Sequence, residues 1–538
     1  MKHISALLLL LPTSLWAQKT PPTPPADAPT QLVRTELLLD PNENEVLVQP
    51  VPTDTAVVLL VRQRTPKGHK MRYVFQHYGA NLHLRREQDP NVADEWDAER
   101  LCAEPGVVYA LFRQSGNTSK LLVAAYDVRG GQTRTQSFDT KLCRRVLGFK
   151  ALNGQLFVNV TLTDDQHQTV LLLDVATGQF QFLPYLYEPL SSELTSVADR
   201  PAGRAEFILT QNNGRKQRLM LKQLSAEHGE LLHSELVQTE SERTLLTAQL
   251  SPLQDTSARL LAGTYGLRDT QYAQGLFVTD LLATDPGSPT EVTRRHALRF
   301  YDFRHLRHFF DYLAPAHSAR IQERAARREA RDEPPQRWHY QLLLHELLPQ
   351  PDGGYTLVAE VYYPVYQYNN YGSPLGVGSM GYRPVVPVGS FGPNGYYHGN
   401  YSGQNLLGIR TSHVIVCGFD KRGNLLWDNT FVVGNNVMRT EVEQAVQALP
   451  LTDGRLALAY IADNEIHYKR IDQGEPSPND AKTDIQTASP DAKEKVLDAS
   501  QTDVAPWVND QYVASGYQRI RPAHGPEREI FFLQLLKF

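Results

Sequence analysis

The feature that most constrains this chain is a repeat of about fifty residues built from strands. A short apolar run, a polar turn, a second apolar run and a Gly-containing turn recur, as in RLMLKQLSAEHGELL (218–232) and HVIVCGFDKRGNLLW (413–427). Turn glycines Gly79, Gly130, Gly178 and Gly229 are spaced 51, 48 and 51 residues apart. A strand repeat of that period predicts an all-β fold, the β-propeller, in which each unit buries its faces against its neighbours.

Pairing each apolar run with the next gives TAVVLLVRQ with MRYVFQHY, GVVYALFRQ with KLLVAAYD, GQLFVNVTL with TVLLLDVATG, and AEFILTQ with RLMLKQL. ARLLAGTYG with GLFVTDLL, GYTLVAEVYY with HVIVCGFD, RLALAYI with EIHYKRID, and QYVASGYQRI with EIFFLQLLKF complete the set. These runs are rich in β-branched, aromatic and Leu residues and are bounded by Gly, Asp and Asn, as strands are. Many are apolar on both faces, which suits a strand sandwiched between neighbouring blades. The count predicts about eight blades, with seven as the alternative. LPQPDGGYTLVAEV (348–361) and LPLTDGRLALAYI (449–461) match almost position for position, each with an Asp–Gly tight turn. The last pair runs to Phe538 and leaves its blade one outer strand short. TELLLD or EVLVQP, from the other end of the sequence, could supply that strand and close the ring, removing exposed sheet edges.

The period breaks between Gly287 and Gly423, 136 residues apart. Two insertions account for the excess. Residues 302–333 read as helical: Phe303, Leu306, Phe310 and Leu313 share one face, Pro315 interrupts, and HSARIQERAARREARDE continues in good helix formers. Residues 362–405 form a Gly/Tyr-rich loop carrying Tyr362, Tyr363, Tyr366, Tyr368, Tyr371, Tyr382, Tyr396, Tyr397 and Tyr401. A third stretch, 473–505, is rich in Pro, Asp, Ser and Lys and reads as a flexible loop.

MKHISALLLLLPTSLWAQ has the charged start, short apolar run and small residue of a signal peptide, 1–17, cleaved after Ala17. An uncleaved anchor is the alternative, although the apolar run is too short to span a bilayer. The first cysteine is Cys102, so no lipid anchor is expected. A Pro-rich leader follows at 18–34, and one propeller domain is expected over 35–538. The chain is therefore expected to be exported, to the periplasm or to the outside and cell surface, as a monomer without a transmembrane segment in its mature form. A net charge of −5 over 538 residues implies no nucleic-acid partner.

Clustered Tyr on an adaptable backbone is how proteins contact sugars or protein partners, since the ring is large and amphipathic and costs little entropy. The nine tyrosines above are the candidate binding residues; an insertion that merely caps the propeller is the structural alternative. Asp302, His305, His308 and Asp311 stand at intervals of three, but on a helix they spread over half the circumference, so no metal site is expected. Arg320, Arg324, Arg327, Arg328 and Arg331 are nearly cancelled by Glu323, Glu329, Asp332 and Glu333, which reads as a salt-bridged helix. Asp94, Glu95, Asp97 and Glu99 around Trp96 read as an acidic loop between blades one and two rather than as a glycosidase pair. Cys102 and Cys143 occupy similar places in successive repeats and could form a disulfide, while Cys417 reads as a buried hydrophobe. No G-x-S-x-G, H-E-x-x-H, Walker loop, C-x-x-C or dinucleotide fingerprint occurs, so no catalytic residue and no cofactor is assigned.

VAEVYYPVY, HVIVCGFDKRGNLLWDN and the closing WVNDQYVASGYQRI…EIFFLQLLKF together resemble a group of uncharacterised exported bacterial proteins. The resemblance covers the C-terminal third best and implies export and a repeat-strand fold, without a mechanism. More generally the chain is similar to kelch-like and quinoprotein-like propellers, although it lacks the G-H…W-D signature. The expected function is a non-catalytic binding or scaffold propeller that contacts a protein or glycan through rim loops. The alternatives are a carbohydrate-active enzyme with its site at the channel mouth, and an assembly factor of the cell envelope.

Overall fold

The computed structural model describes residues 28–64, 70–190, 192–199, 203–212, 217–237, 243–252, 258–267, 272–282, 298–368, 404–434, 437–488 and 494–538. The expected signal peptide, most of the leader and Gly287 lie outside these residues. Eight antiparallel sheets follow one another along the chain, which settles the count at eight blades rather than seven. They span 45–88, 96–139, 143–182, 193–237, 244–302, 341–432 and 447–484, with the eighth formed by 495–537 together with 30–37. The eight apolar pairs read from the sequence are the second and third strands of these blades. The first strands of neighbouring blades lie against one another around the central channel.

Eight apolar clusters fill the eight spaces between blades. The strand Ala56–Arg64 shows why the second strands are apolar throughout: Val57, Leu59 and Val61 pack on blade 8, while Val58 and Leu60 pack on blade 2. Because side chains alternate along a strand, a strand with a neighbour on each face must be apolar at every position.

The ring is closed by Thr30–Leu37, which pairs antiparallel with Arg528–Lys537 as the outer strand of blade 8. TELLLD thus contributes to the closing strand, whereas EVLVQP forms the first strand of blade 1, Glu45–Val51. The closing strand starts at Thr30, inside the span expected to be leader.

The periodic glycines share one structural place. Gly178, Gly229 and Gly423 turn the chain from the third to the fourth strand of their blades with φ of +73, +67 and +79, and Gly131, one residue after Gly130, does so with +71. At each of them a Cβ would run into the preceding blade, at Gln136, Leu183, Val278 and Arg86 respectively. The turn needs a left-handed residue, and the blade-to-blade contact leaves no room for a side chain.

Two insertions and one loop differ from expectation. The α-helix runs only over Pro315–Ala330. The segment before it is a 3-10 turn, Phe303–His305, and irregular chain in which Phe303, Leu306, Phe309 and Phe310 are all buried. The four side chains fill the seam between blades 5 and 6, and the backbone follows that seam instead of a helical path. The expected loop 473–505 contains Lys482–Asp484, the outer strand of blade 7, and Lys495–Pro506, the first strand of blade 8. Their polar composition hid them: of the residues in these two strands only Val504 is buried. Residues 362–368 and 404–405, expected in the Gly/Tyr-rich loop, are strand.

Candidate functional site: a stapled hairpin on one face

The second and third strands of blade 6, Tyr355–Tyr368 and Gln404–Phe419, hold 14 and 16 residues, against seven each for the corresponding Leu456–Ala462 and Glu465–Ile471 of blade 7. Their pairing runs from Tyr355↔Phe419 to Tyr368↔Gln404, so the hairpin stands out from the blade. Aromatic and β-branched residues in YYPVYQY favour this extended, half-exposed ladder. Register shifts at Val361/Tyr362 and Val365/Tyr366 leave Ser412 and Leu407 as extra residues, and such bulges increase the twist of a ribbon.

The hairpin is fixed at its base and along its side. At the base, His413 is fully buried, stacks on Tyr312 with ring centroids 4.0 Å apart, and meets the edge of Phe309 at 5.3 Å. Burial pushes its imidazole pKa down to about 3. Ser412 Oγ donates to Val361 O at 3.1 Å, securing the first bulge. Along the side, the short strand Met438–Arg439 pairs with Ile409 and Arg410. Gly408 permits that approach, since a Cβ there would lie 2.7 Å from Arg439 O and 2.8 Å from Met438 Cγ.

This staple sets side chains in a row. Tyr363 pairs with Arg410, and Arg410 pairs with Met438, so the three stand on one face of a three-stranded ribbon. Tyr363, Leu407 and Met438 are 41%, 49% and 46% exposed, which makes this ribbon a concentration of exposed large apolar side chains.

In a blade of four antiparallel strands, the turn between strands two and three and the link to the next blade fall on the same face of the ring. The hairpin tip and the 303–340 insertion, which links blades 5 and 6, therefore share a face. The insertion is pinned to blade 6: Arg307 N and His308 N donate to Asp428 at 3.0 and 2.7 Å, and Thr430 Oγ donates to His308 O at 2.7 Å. Its helix puts Ala325 and Ile321 into the blade 5–6 core and is tied down by Arg304–Glu329 at 3.2 Å. The Glu323–Arg327 pair forms on its outer face, as the spacing predicts.

Of the nine candidate tyrosines, Tyr362, Tyr363, Tyr366 and Tyr368 lie on the ascending strand of the hairpin. Tyr371, Tyr382, Tyr396, Tyr397 and Tyr401 lie outside the described residues. Sequence reasoning missed Arg410, Leu407 and Met438; the aromatic and β-branched run YYPVYQY was the signal that could have extended the hairpin.

The other candidates are engaged in structure. Asp302 accepts from Arg304 N, Trp338 Nε1 and Gln274 Nε2 at 3.0, 3.1 and 3.2 Å, and His308 Nδ1 bonds Asp311 at 2.7 Å. Among the described residues no group of three or more His, Cys, Asp or Glu could hold a metal. The acidic patch is not a loop alone: Trp96–Glu104 is the first strand of blade 2, with Trp96 buried. Arg62 reaches Asp94 and Asp97 at 3.7 and 3.6 Å, and Arg113 pairs with Glu99. Cys102 and Cys143 are free thiols rather than a disulfide. They lie near opposite ends of the first strands of blades 2 and 3, Trp96–Glu104 and Cys143–Leu152, which run side by side in the same direction. Burial raises both thiol pKa values, that of Cys143 to about 12, and Cys417 is buried as expected.

No protein-family model matches this sequence, and no curated protein matches it. Among solved structures, the β-propeller domain of the Trilobed protease from Pyrococcus furiosus is similar over 82% of this chain and 96% of its own, at 6% identity and a TM-score of 0.33. Cobalt-substituted apocarotenoid oxygenase (ACO) of Synechocystis is similar over 48% of this chain and 64% of its own, at 8% identity and a TM-score of 0.28. An ACO/RPE65 chimera is similar over 44% of this chain and 57% of its own, at 9% identity and a TM-score of 0.26. No helix among the described residues is long and apolar enough to cross a membrane.

Proposed function

We propose that this chain is an exported, non-catalytic binding or scaffold propeller that holds a protein or glycan partner on the face bearing the hairpin. The observation that carries this reading is the Tyr363–Arg410–Met438 row on a ribbon stapled to blade 6. A rigid amphipathic ring beside a guanidinium and a thioether is a contact surface suited to sugars and to protein side chains alike. Export rests on the signal-like residues 1–17 and on the resemblance of the segments quoted above. Asp94, Asp97 and Glu99 of the acidic patch are ion-paired to Arg62 and Arg113, which supports a structural reading of them over a glycosidase pair.

The test uses the secreted protein on a glycan array and in affinity capture from a cell-envelope fraction. Replacing residues 369–403 by a two-residue turn keeps both hairpin strands; Y363A/R410A/M438A then clears the row. Loss of a specific glycan or protein partner in the triple variant, with an unchanged melting temperature, supports the reading. Unchanged capture by the triple variant sinks it.

A further inference from the structure

The opposite face of the ring carries a second feature, independent of the hairpin. Between blades 1 and 2 a cleft of about 340 Å³ is lined by Asp54, His77, Arg85, Arg86, Val128 and Arg129. Arg85 and Arg86 are consecutive on Leu84–Gln88, the outer strand of blade 1. His77, on the next strand inward, pairs with Arg86 and is buried beneath it. Arg129 reaches across from the turn of blade 2 to Asp54 at 3.1 Å.

The glycines make room for these guanidiniums. A Cβ at Gly79 would overlap the Arg85 guanidinium, and one at Gly131 would overlap that of Arg86. The two side chains therefore lie down along the cleft. Asp54, the only carboxylate lining it, is already engaged by Arg129 and by Gly106 N at 2.7 Å. Asp127, at the same turn, accepts from Arg129 N and Gly130 N, both at 2.9 Å. Glu87 is bonded by Gln76 Nε2 at 2.7 Å. Among the described residues no carboxylate lies within ion-pair distance of Arg85 or Arg86. Burial and the charges of Arg85 and Arg86 hold His77 below its ordinary pKa, so it adds a neutral polar group.

Three guanidiniums line the cleft against the one carboxylate of Asp54, with Asp127 at the adjoining turn, so the concave site carries a net positive charge. Such a site concentrates anions, and the guanidinium fork matches the oxygen spacing of a phosphate. We propose that this cleft binds a phosphate-type dianion, either free phosphate or the phosphomonoester of a small sugar. A phosphomonoester carries about −1.5 to −2 at neutral pH and is drawn to the net positive charge of the site. The cleft volume falls at the lower end of the range of ligand pockets, about 300–1,000 Å³, so a monosaccharide phosphate is near the upper limit of size.

The test is isothermal titration of the full chain with inorganic phosphate, with glucose 1-phosphate and with glucose. One-to-one binding of a phosphate compound, weakened at least tenfold in R85Q/R86Q at unchanged melting temperature, is expected. Tighter binding of glucose 1-phosphate than of phosphate identifies a phosphomonoester site; equal binding identifies a site for the free anion. No heat from either compound, or equal binding by the variant, overturns the proposal. If the double variant fails to fold, R86K keeps the charge and loses the fork: weakened binding supports the assignment and unchanged affinity overturns it.

Discussion

Lys150, on the first strand of blade 3, and Glu346, just after the first strand of blade 6, form an ion pair at 3.0 Å. Since blades 4 and 5 stand between them around the ring, this pair reaches across the central channel. The Lys150 charge, ahead of a smaller opposing effect of burial, lowers the Glu346 pKa. A second pair, Arg259–Glu206, joins blade 5 to blade 4 and is 7% and 0% exposed at its side chains.

The two pairs should differ sharply on mutation. Both ends of the channel pair are open to solvent, so K150A is expected to cost less than ~1 kcal/mol. R259A leaves a carboxylate buried and uncompensated and is expected to cost ~3–5 kcal/mol. Urea unfolding of both variants measures this; equal losses would show that solvent does not discriminate between them.

His413 predicts a pH dependence. Its folded pKa is pushed down to about 3, below the roughly 6.5 of an unfolded chain. Below about pH 6.5 the unfolded state takes up a proton that the folded state refuses, so stability falls as pH drops towards 3, by at most ~1.4 kcal/mol per pH unit. Between about pH 7 and pH 5 the wild-type urea midpoint should therefore fall further than that of H413Q. Parallel curves would mean that the imidazole titrates freely.

The closing strand offers a third test. Arg34 donates to Gln518 at 2.6 Å, to Gln534 at 3.3 Å and to Glu36 at 2.8 Å, and lies 4.6 Å from the Phe532 ring centroid. R34A should cost about 1–3 kcal/mol. Removing residues 28–37, together with those before them, exposes the Arg528–Lys537 edge and should produce oligomers on size exclusion. A monomer of unchanged melting temperature would show that closure is dispensable.

Two glycines separate backbone strain from packing. Gly106 has φ +85 and open space within 4 Å of where a Cβ would stand, whereas at Gly423, with φ +79, the Cβ would sit 2.6 Å from Val278 Cγ1. G106A should cost ~1 kcal/mol, and G423A should cost more, ~2–4 kcal/mol, because blade 5 must also yield. Thermal melts of the two variants rank them.

The sequence made the doubly covered strands legible, together with the closing segment that holds TELLLD and the salt-bridged helix. Leu59 or Val358 has a blade on either side and announces its strand by continuous apolarity. The outer strand Leu84–Gln88, four of whose five residues are exposed, offers no apolar run to find, and the first strand Lys495–Pro506, with only Val504 buried, reads as flexible loop. At the hairpin the tyrosines were visible as a composition. The ribbon was not, because it depends on a two-residue strand, Met438–Arg439, that only tertiary pairing reveals.

Closure by Thr30–Leu37 also sets an order of events. The partner of this strand, Arg528–Lys537, lies hundreds of residues further along the chain, so during synthesis it waits while every intervening blade is laid down. Each blade can dock on its predecessor as it emerges, by contacts close in sequence; the clasp alone must find a site hundreds of residues away, and that search is the slow, entropically costly kind. Until it succeeds, the edge of Arg528–Lys537 is open to any extended segment nearby. The ring is therefore most vulnerable to swapping with a second chain at the moment when it is almost finished.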